Sequence, residues 1–280
     1  MALTRPLPLR RRTRWLIALA VLALLAWQLW THRFGTPEDF ADTDTQYKYG
    51  SIGADHPLAR APLPYWLWKV LPEVLPPTEV MQPQVAPRDP AHSFTAFGLT
   101  IEPQMPTPVG AGPGQTALQR PIGFSTRKVL GLDFVGMNCS FCHTTTLRRT
   151  ADQKTPDLIL GGTGNAVDIE RYFLYMFASI DSPGFNADNL MDKIRAEAHR
   201  QGNDLNLIER GLYRYIFIPL IPKILDQLQA EAFDFIAVHN PDRLPNFGPG
   251  RVDTWSLYKR LFVNPPQRDP IPGIVDFPPI

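Results

Sequence analysis

The 280-residue sequence predicts a mainly α-helical fold with long Pro-rich irregular loops and a transmembrane helix at the N-terminus. Three features lead to this prediction. An apolar run follows a cluster of arginines near the N-terminus, proline is abundant in the first half, and helical periodicity recurs in the second half. The chain holds 30 Pro, roughly twice the average share of about 5%. This proline content favours extended connections over a simple helical bundle.

The apolar run from Trp15 to Trp30 follows four arginines, so the rest of the chain is expected on the outer side of the membrane. Its residues would rise about 24 Å as a helix, and tryptophans at both ends would lie at the interfaces. The run ends in Ala26 to Trp30 without the small residues of a cleavage site. An uncleaved anchor is therefore favoured over a cleaved signal peptide. Either alternative exports the domain, and we predict an inner-membrane anchor with the domain in the periplasm.

The sequence suggests three regions: an anchor or signal at 1–33, a Pro-rich, loop-dominated region at 34–130, and a helical domain at 131–280. In the second region, Thr36 to Phe40 is predicted to begin a short helix capped by Thr36. Tyr65 to Leu71 is the densest aromatic cluster, and it begins a helix that Pro72 and Pro76-Pro77 are expected to end. We interpret this cluster as core, with a substrate surface formed by Tyr65, Trp66 and Trp68 as the alternative.

Four helices are predicted in the third region. Asn165 to Ile180 has Asn165 as its cap, Asn186 to Arg200 is more polar, Leu205 to His239 should break near Pro219, and Arg251 to Phe262 is the last. Gly161 to Gly164 resembles a phosphate-binding loop only superficially, because no lysine follows, and it is interpreted as a turn.

At Cys139 to His143 the sequence reads C-x-x-C-H, the pattern of c-type haem attachment. Two thiols three positions apart on one helical turn can add to the two vinyl groups of a haem. The imidazole that follows then lies beneath the porphyrin, where a ring nitrogen can bind the iron. We predict one covalent haem c on Cys139 and Cys142, with His143 as the iron's proximal ligand. The domain would then be cytochrome c-like, and its haem-bearing helix would continue through Thr144 to Leu147.

Other interpretations of this motif are weaker. A zinc ribbon needs a second pair of cysteines, yet Cys139 and Cys142 are the only two in the chain. A thioredoxin-like site needs a βαβ context, which the surrounding sequence lacks. A structural disulfide between the two cysteines would not need His143. A bare redox disulfide is the remaining alternative.

The charge distribution argues against nucleic acid as a partner. The only charged residues up to position 33 are six arginines, and without them 22 Lys and Arg of the total of 28 stand against 27 Asp and Glu. The exported part therefore carries a formal charge of about −5, and no basic patch with interleaved aromatic residues is present.

Several short stretches come in a recognisable order: Tyr49 to Gly53, Tyr65 to Trp68, Pro121 to Ser125, Asn138 with the haem motif, and Gly248 to Thr254. Together they resemble the N-terminal half of the rubber-oxygenase type of dihaem c-type cytochromes, within the bacterial dihaem cytochrome c peroxidase superfamily. The resemblance spans residues 38–280.

The resemblance implies a periplasmic, mostly helical protein with two c-type haems, one at an active site and one serving as an electron relay. This sequence contains one C-x-x-C-H and ends about where the family continues into its second haem domain. A truncated gene product, a split subunit and a single-haem offshoot are the alternatives.

For the distal side of the iron, the resemblance implies Lys259 as a candidate ligand and Phe247 as a residue lining the pocket. A solvated lysine and core packing are the competing interpretations. Other candidates from the sequence are Met176, which we interpret as core, Met191, and the predicted surface residues His199 and His239. Arg251 and Asp253 are expected to form an ion pair, with a haem propionate as the alternative partner.

These features leave three hypotheses for function. The first is an electron-transfer protein that passes single electrons to a redox partner protein. The second is a haem peroxidase or dioxygenase acting on an apolar polyene, as the resemblance implies. The third is a non-catalytic haem-binding half that needs a missing second haem domain.

Overall fold

A computed structural model of the chain describes residues 19–20, 37–52, 63–76, 94–129, 131–162, 166–232, 251–252 and 275–276. The helices in these ranges are α1 (Thr43–Tyr49), α2 (Tyr65–Val74), α3 (Ile169–Asp181), α4 (Ala187–Arg200), α5 (Leu207–Leu212) and α6 (Ile218–Ala232). The strands are β1 (Leu63–Pro64), β2 (Phe124–Val129), β3 (Leu132–Met137), β4 (Thr144–Leu147), β5 (Asp157–Leu160), β6 (Arg251–Val252) and β7 (Val275–Asp276). Short 3₁₀ segments lie at Phe94–Phe97 and Cys139–Phe141, and a π-helical turn at Tyr213–Phe217.

The prediction of a mainly α-helical, cytochrome c-like fold is wrong. The described residues combine helices with three antiparallel sheets, which makes the fold mixed α/β. Across these same ranges, no helix has both the length and the apolar character needed to cross a bilayer. The predicted anchor at 1–33 lies outside the described residues, apart from 19–20.

The largest sheet has three strands in the order β1-β3-β2. β2 and β3 form a hairpin in which Phe124 pairs with Met137, while Leu63 of β1 pairs with Val135 on the other edge of β3. This sheet joins residues from the predicted 34–130 and 131–280 regions. Two smaller hairpin-like pairs are β4 with β5 and β6 with β7.

β6 corrects part of the predicted last helix. Arg251 and Val252 are paired with Asp276 and Val275 in antiparallel strands rather than beginning a helix. The remainder of that prediction, from Asp253 to Phe262, lies outside the described residues.

The first helix begins later than the sequence predicted. The Asp42 side chain accepts a hydrogen bond from the Thr45 N–H at 2.8 Å and so caps α1, which ends at Gly50. Pro37, expected at the first turn of a helix, instead forms an isolated antiparallel bridge with Arg127. The cap was misplaced because Asp42 satisfies the free N–H groups of the first turn better than Thr36.

The aromatic helix α2 lies in the core, as predicted. Tyr65, Trp66 and Trp68 are all buried, so they offer no exposed substrate surface. α2 continues past Pro72 and ends at Val74, before Pro76, which is one of the prolines predicted to end it.

The later helices largely follow the prediction. α4 is capped by Asn186 and ends at Arg200, which confirms the second predicted helix. α3 starts at Ile169 and is capped by Asp168, later than the predicted cap Asn165, which lies outside the described residues. The predicted break near Pro219 is not seen as a gap, because α5, the π-helical turn Tyr213–Phe217 and α6 follow one another directly and Pro219 lies in the first turn of α6.

One aromatic core connects the sheet with the helices. The Trp68 and Phe94 rings are stacked with centroids 4.5 Å apart, and Trp68 Nε1 donates a hydrogen bond to the Tyr172 hydroxyl at 3.0 Å. Phe141, from the C-x-x-C-H segment, packs edge-on against Phe124 and Tyr172. The motif is thereby attached to the core through Phe141, the residue just before its second cysteine.

Candidate functional site

The C-x-x-C-H residues form one tight turn, which we call the haem-motif turn (Cys139 to His143). The Cys142 and His143 N–H groups both donate to the Cys139 carbonyl oxygen, at 3.3 and 3.1 Å. Residues at positions i, i+3 and i+4 of a helical turn lie on the same side. The two thiols and the imidazole therefore come from one turn, with Cys139 and His143 exposed and Cys142 packed against the main core.

The helix predicted to continue from this turn is not present. Thr144 to Leu147 forms β4, which pairs residue by residue with β5, from Thr144 opposite Leu160 to Leu147 opposite Asp157. Three consecutive threonines have branched Cβ atoms, which restrict the side chain in a helix and suit a strand. The chain therefore leaves the haem-motif turn as a β-hairpin.

His143 is exposed, and one of its ring nitrogens is held by the backbone. Nδ1 lies 3.2 Å from the Gly162 carbonyl oxygen, just after β5. A carbonyl can only accept, so Nδ1 is the donor in this contact, and in the neutral imidazole the lone pair is then on Nε2. Histidines that bind metals commonly have their other nitrogen fixed in this way. Sequence reasoning interpreted Gly161 to Gly164 as a turn but missed the contact from Gly162.

The two thiols are free and differ in their environment. Cys139 is exposed, whereas Cys142 is partly buried. Burial, with the nearby Cys139 as a lesser cause, raises the pKa of the Cys142 thiol to about 12. A redox-active C-x-x-C pair lowers the pKa of one of its two cysteines, the attacking thiol. The bare redox disulfide, with the buried Cys142 as the second thiol, stays an alternative.

The side chain of Asn138 ties the haem-motif turn to the end of α1. Its Nδ2 lies 3.2 Å from the Lys48 carbonyl oxygen and 3.4 Å from those of Tyr47 and Gly50. Its Oδ1 accepts from the Ser140 N–H at 3.0 Å. The last carbonyl groups of a helix lack partners within the helix, so Asn138 satisfies α1 and caps the motif at the same time.

Gly123, the residue just before β2, lets the backbone lie close to the haem-motif turn. Its φ is +99°, and a Cβ built on it would lie 2.5 Å from the Phe141 Cα. Its N–H donates to the Lys48 carbonyl oxygen at 3.0 Å, and its carbonyl oxygen accepts from the Asn138 N–H at 2.9 Å. Only glycine fits this conformation at this separation.

Two further side chains complete the surroundings. The Tyr47 hydroxyl lies 3.4 Å from the His143 carbonyl oxygen, and burial followed by the nearby Cys139 raises the pKa of this phenol. The fully buried Arg120 donates to the Tyr49 carbonyl oxygen at 3.2 Å and to Glu38 Oε2 at 2.9 Å. We call Asn138, Gly123, Tyr47 and Arg120, with the α1 carbonyl groups that they contact, the cradle of the haem-motif turn. Sequence reasoning assigned no such role to Tyr47 or Arg120.

The other predicted site residues divide into three groups. Phe247, Lys259, His239 and Asp253 lie outside the described residues. Met176 and Met191 are buried in the main core, which confirms the interpretation of Met176. His199 is exposed and contacts Asp204, with Nδ1 to Oδ1 at 3.0 Å, as expected of a surface residue.

Comparisons with known proteins assign the chain to no family. No family model matches it, and no curated protein or solved structure matches it at a significant level. Within the described ranges, no group of three or more His, Cys, Asp and Glu residues is arranged to hold a metal ion.

Proposed function

We propose that the chain is an exported c-type cytochrome that binds one haem covalently through Cys139 and Cys142 and exchanges single electrons with a redox partner protein. The observation that carries this proposal is the haem-motif turn itself. It brings two free thiols and an imidazole together on one short turn, and the Gly162 carbonyl holds the imidazole by Nδ1. This donor set matches the vinyl groups and iron of a haem.

Attachment needs no external oxidant or reductant. Each thiol adds across one vinyl group, so that a carbon–sulfur bond forms at one vinyl carbon and the thiol's hydrogen ends on the other. When bound, the haem supplies the one-electron chemistry at its iron. The chain's part is to hold the thiols and to direct Nε2 of His143 toward the iron.

The cradle supports the proposal because it fixes the turn before any haem arrives. Cys139 N–H donates to the Ile52 carbonyl oxygen at 3.2 Å, and Ser140 Oγ donates to that of Lys48 at 3.1 Å. Three of the stretches that suggested the family resemblance, around residues 49–53, 121–125 and 138–143, therefore meet at this site. The resemblance is part of the proposal, as is the periplasmic location of an inner-membrane-anchored protein.

The test is to express the full chain in a bacterium that matures c-type cytochromes and to measure its intact mass and visible spectrum. We expect a mass increase of one haem that survives denaturation. Replacing both cysteines by serine should abolish this increase. Absence of covalent haem in the unaltered chain would refute the proposal.

A pair of histidine variants tests the axial ligand. His143→Ala should alter the ferric spectrum, whereas the matched exposed variant His199→Ala should leave it unchanged. A low-spin ferric spectrum that does not respond to cyanide supports electron transfer. A high-spin spectrum that shifts with cyanide would replace electron transfer with the peroxidase or dioxygenase alternative.

A further inference from the structure

Exposed apolar side chains are concentrated on one helical stretch. Among the described residues, nine large hydrophobic side chains are exposed, and six of them lie between positions 207 and 224. The exposed fraction reaches 83% for Leu207, 75% for Ile208 and 74% for Tyr215. We call this set the exposed ridge; it consists of Leu207, Ile208, Tyr215, Ile216, Leu220 and Ile224.

The ridge lies opposite the side of these helices that packs on the core. Tyr213, Ile218, Ile221 and Leu225 are buried in the main core. Ile216, Leu220 and Ile224 follow one another at intervals of four, which places them along one line of the helix surface. The stretch therefore has two apolar sides. One packs against the main core, and the other is exposed.

A cleft lined by arginines borders the ridge. It has a volume of about 560 Å³ between α4 and the α5–π segment, and Leu207 and Tyr215 of the ridge belong to its lining. Its charged residues are three arginines, Arg195, Arg210 and Arg214, and two aspartates, Asp188 and Asp192. The cleft is therefore continuous with the apolar ridge and carries one more positive than negative charge.

Among the described residues, one arginine of the cleft has no carboxylate partner. Arg214 pairs with Asp188 at 2.5 Å, and Arg195 pairs with Asp192. Arg210 donates from Nε to the Leu205 carbonyl oxygen at 2.9 Å and has no carboxylate partner among the described residues. An anion in the cleft would meet an arginine whose charge is unpaired.

We propose that the ridge and its cleft bind the surface of a membrane that contains anionic phospholipid. The aliphatic side chains would enter the boundary between headgroups and acyl chains, where Tyr215 is also favoured. The arginines would bind lipid phosphates, to which a guanidinium can donate two parallel hydrogen bonds. The predicted N-terminal anchor would keep this face within reach of a bilayer. The proposal does not depend on haem attachment.

Charge favours a lipid over a second copy of the chain as the occupant. In a two-fold dimer the same patch meets itself, so the net positive clefts of two copies would approach each other. An anionic membrane instead offers opposite charge to the net positive cleft.

The test places a photoreactive benzoylphenylalanine at Ile216, and separately at Leu220 in case the first variant fails to fold. The full chain is reconstituted in phosphatidylcholine vesicles with and without phosphatidylglycerol, irradiated, and analysed by intact mass. The matched control is the same residue at Val109, which is 64% exposed but lies in a turn rather than a helix and outside the ridge. Because the full chain is used throughout, any effect of the anchor is common to all positions.

We expect lipid adducts at position 216 or 220 and few at 109, with a higher yield when phosphatidylglycerol is present. Replacing Arg195, Arg210 and Arg214 by glutamine should lower the yield in phosphatidylglycerol vesicles by about tenfold. The corresponding change at Arg148 and Arg149, on the β4–β5 hairpin, should not. A product of twice the chain mass, a crosslink within the chain, or equal lipid labelling at 109 would each overturn the proposal. So would an unchanged yield in the triple variant.

Discussion

The cradle of the haem-motif turn and the aromatic core adjoin through one side chain, Phe141, but they are held together in different ways. In the core, rings pack on rings, and its contacts are spread over many residues from α2, α3 and the sheet. In the cradle, single side chains contact backbone carbonyl groups, and one glycine permits a close approach. Apolar packing distributes its free energy over many contacts, whereas the cradle depends on a few residues that nothing else can replace.

The sharpest test of this difference is Gly123→Ala. The positive φ costs an alanine roughly 1–2 kcal/mol, and relieving the contact with the Phe141 backbone costs roughly a further 1–3 kcal/mol. We expect a loss of about 3 kcal/mol or more in the free energy of unfolding, measured by denaturant titration. Covalent haem attachment should fall with it, because the turn itself is displaced.

Gly131→Ala is the matched control. Gly131 has a φ of +81° but no atom within 4 Å of a Cβ built on it, so the backbone strain is present without the clash. It should cost roughly 1–2 kcal/mol and leave haem attachment intact. Equal losses in both variants would show that the close approach to Phe141 contributes nothing.

A smaller effect is expected in the core from Tyr172→Phe. The ring and its packing on Phe141 remain, but the buried Trp68 Nε1–H loses its acceptor at 3.0 Å. An unsatisfied buried donor costs roughly 1–3 kcal/mol, which should appear in the free energy of unfolding. Haem attachment should be unchanged, because no cradle contact is removed.

Tyr47→Phe is the control for Tyr172→Phe, because it should affect haem attachment rather than stability. The Tyr47 hydroxyl makes a long contact of 3.4 Å with the His143 carbonyl oxygen in a partly exposed setting, so stability should change little. Its position beside the thiols predicts an effect on haem attachment instead. If Tyr47→Phe proves the more destabilising of the two, the division between core and cradle is wrong.

The same difference explains which parts of the structure could be predicted from the sequence. α4 was predicted within one residue, because Asn186 is a strong cap and the apolar positions that follow are local in the chain. The cradle was not predictable in this way. Asn138 contacts the backbone of Tyr47, Lys48 and Gly50, which are 91, 90 and 88 residues away in sequence, and no local pattern encodes such contacts.

The error in fold class has a different origin. The run Thr144 to Thr146 favours a strand on its own chemistry, and β4 is the result. The helix was expected there because C-x-x-C-H was read together with the helical context of cytochromes c. The motif predicts the donor atoms, which lie on one turn as expected, but it does not predict the secondary structure that follows them.

The smallest expected effect concerns two aspartates that cap helices. One helix, α1, contributes carbonyl groups to the cradle, and the other, α3, packs in the aromatic core. Asp42 caps α1, and its hydrogen bonds to Thr45 lower its pKa below the ordinary value of 3.8. Asp168 caps α3, and burial raises its pKa despite the opposing N–H and charge of Arg171. Each can be replaced by asparagine, which retains the cap but not the charge.

The two substitutions should change stability in opposite directions at neutral pH. The lowered pKa of Asp42 means that its carboxylate stabilises the native state above the ordinary value and that this stability is lost as pH falls through the native pKa. The raised pKa of Asp168 means that the native state holds the proton more tightly, so the contribution of Asp168 to stability falls as pH rises through the carboxyl range.

Asp42→Asn should therefore lower the melting temperature at neutral pH, and Asp168→Asn should leave it unchanged or raise it. The Asp42 difference should vanish below its lowered native pKa, and the Asp168 difference below the ordinary carboxyl pKa, because the side chains are then neutral in both states. Melting curves followed by circular dichroism from about pH 3 to about pH 7 would measure this, and shifts of the same sign in the two variants would contradict the assignment of burial as the dominant influence on Asp168.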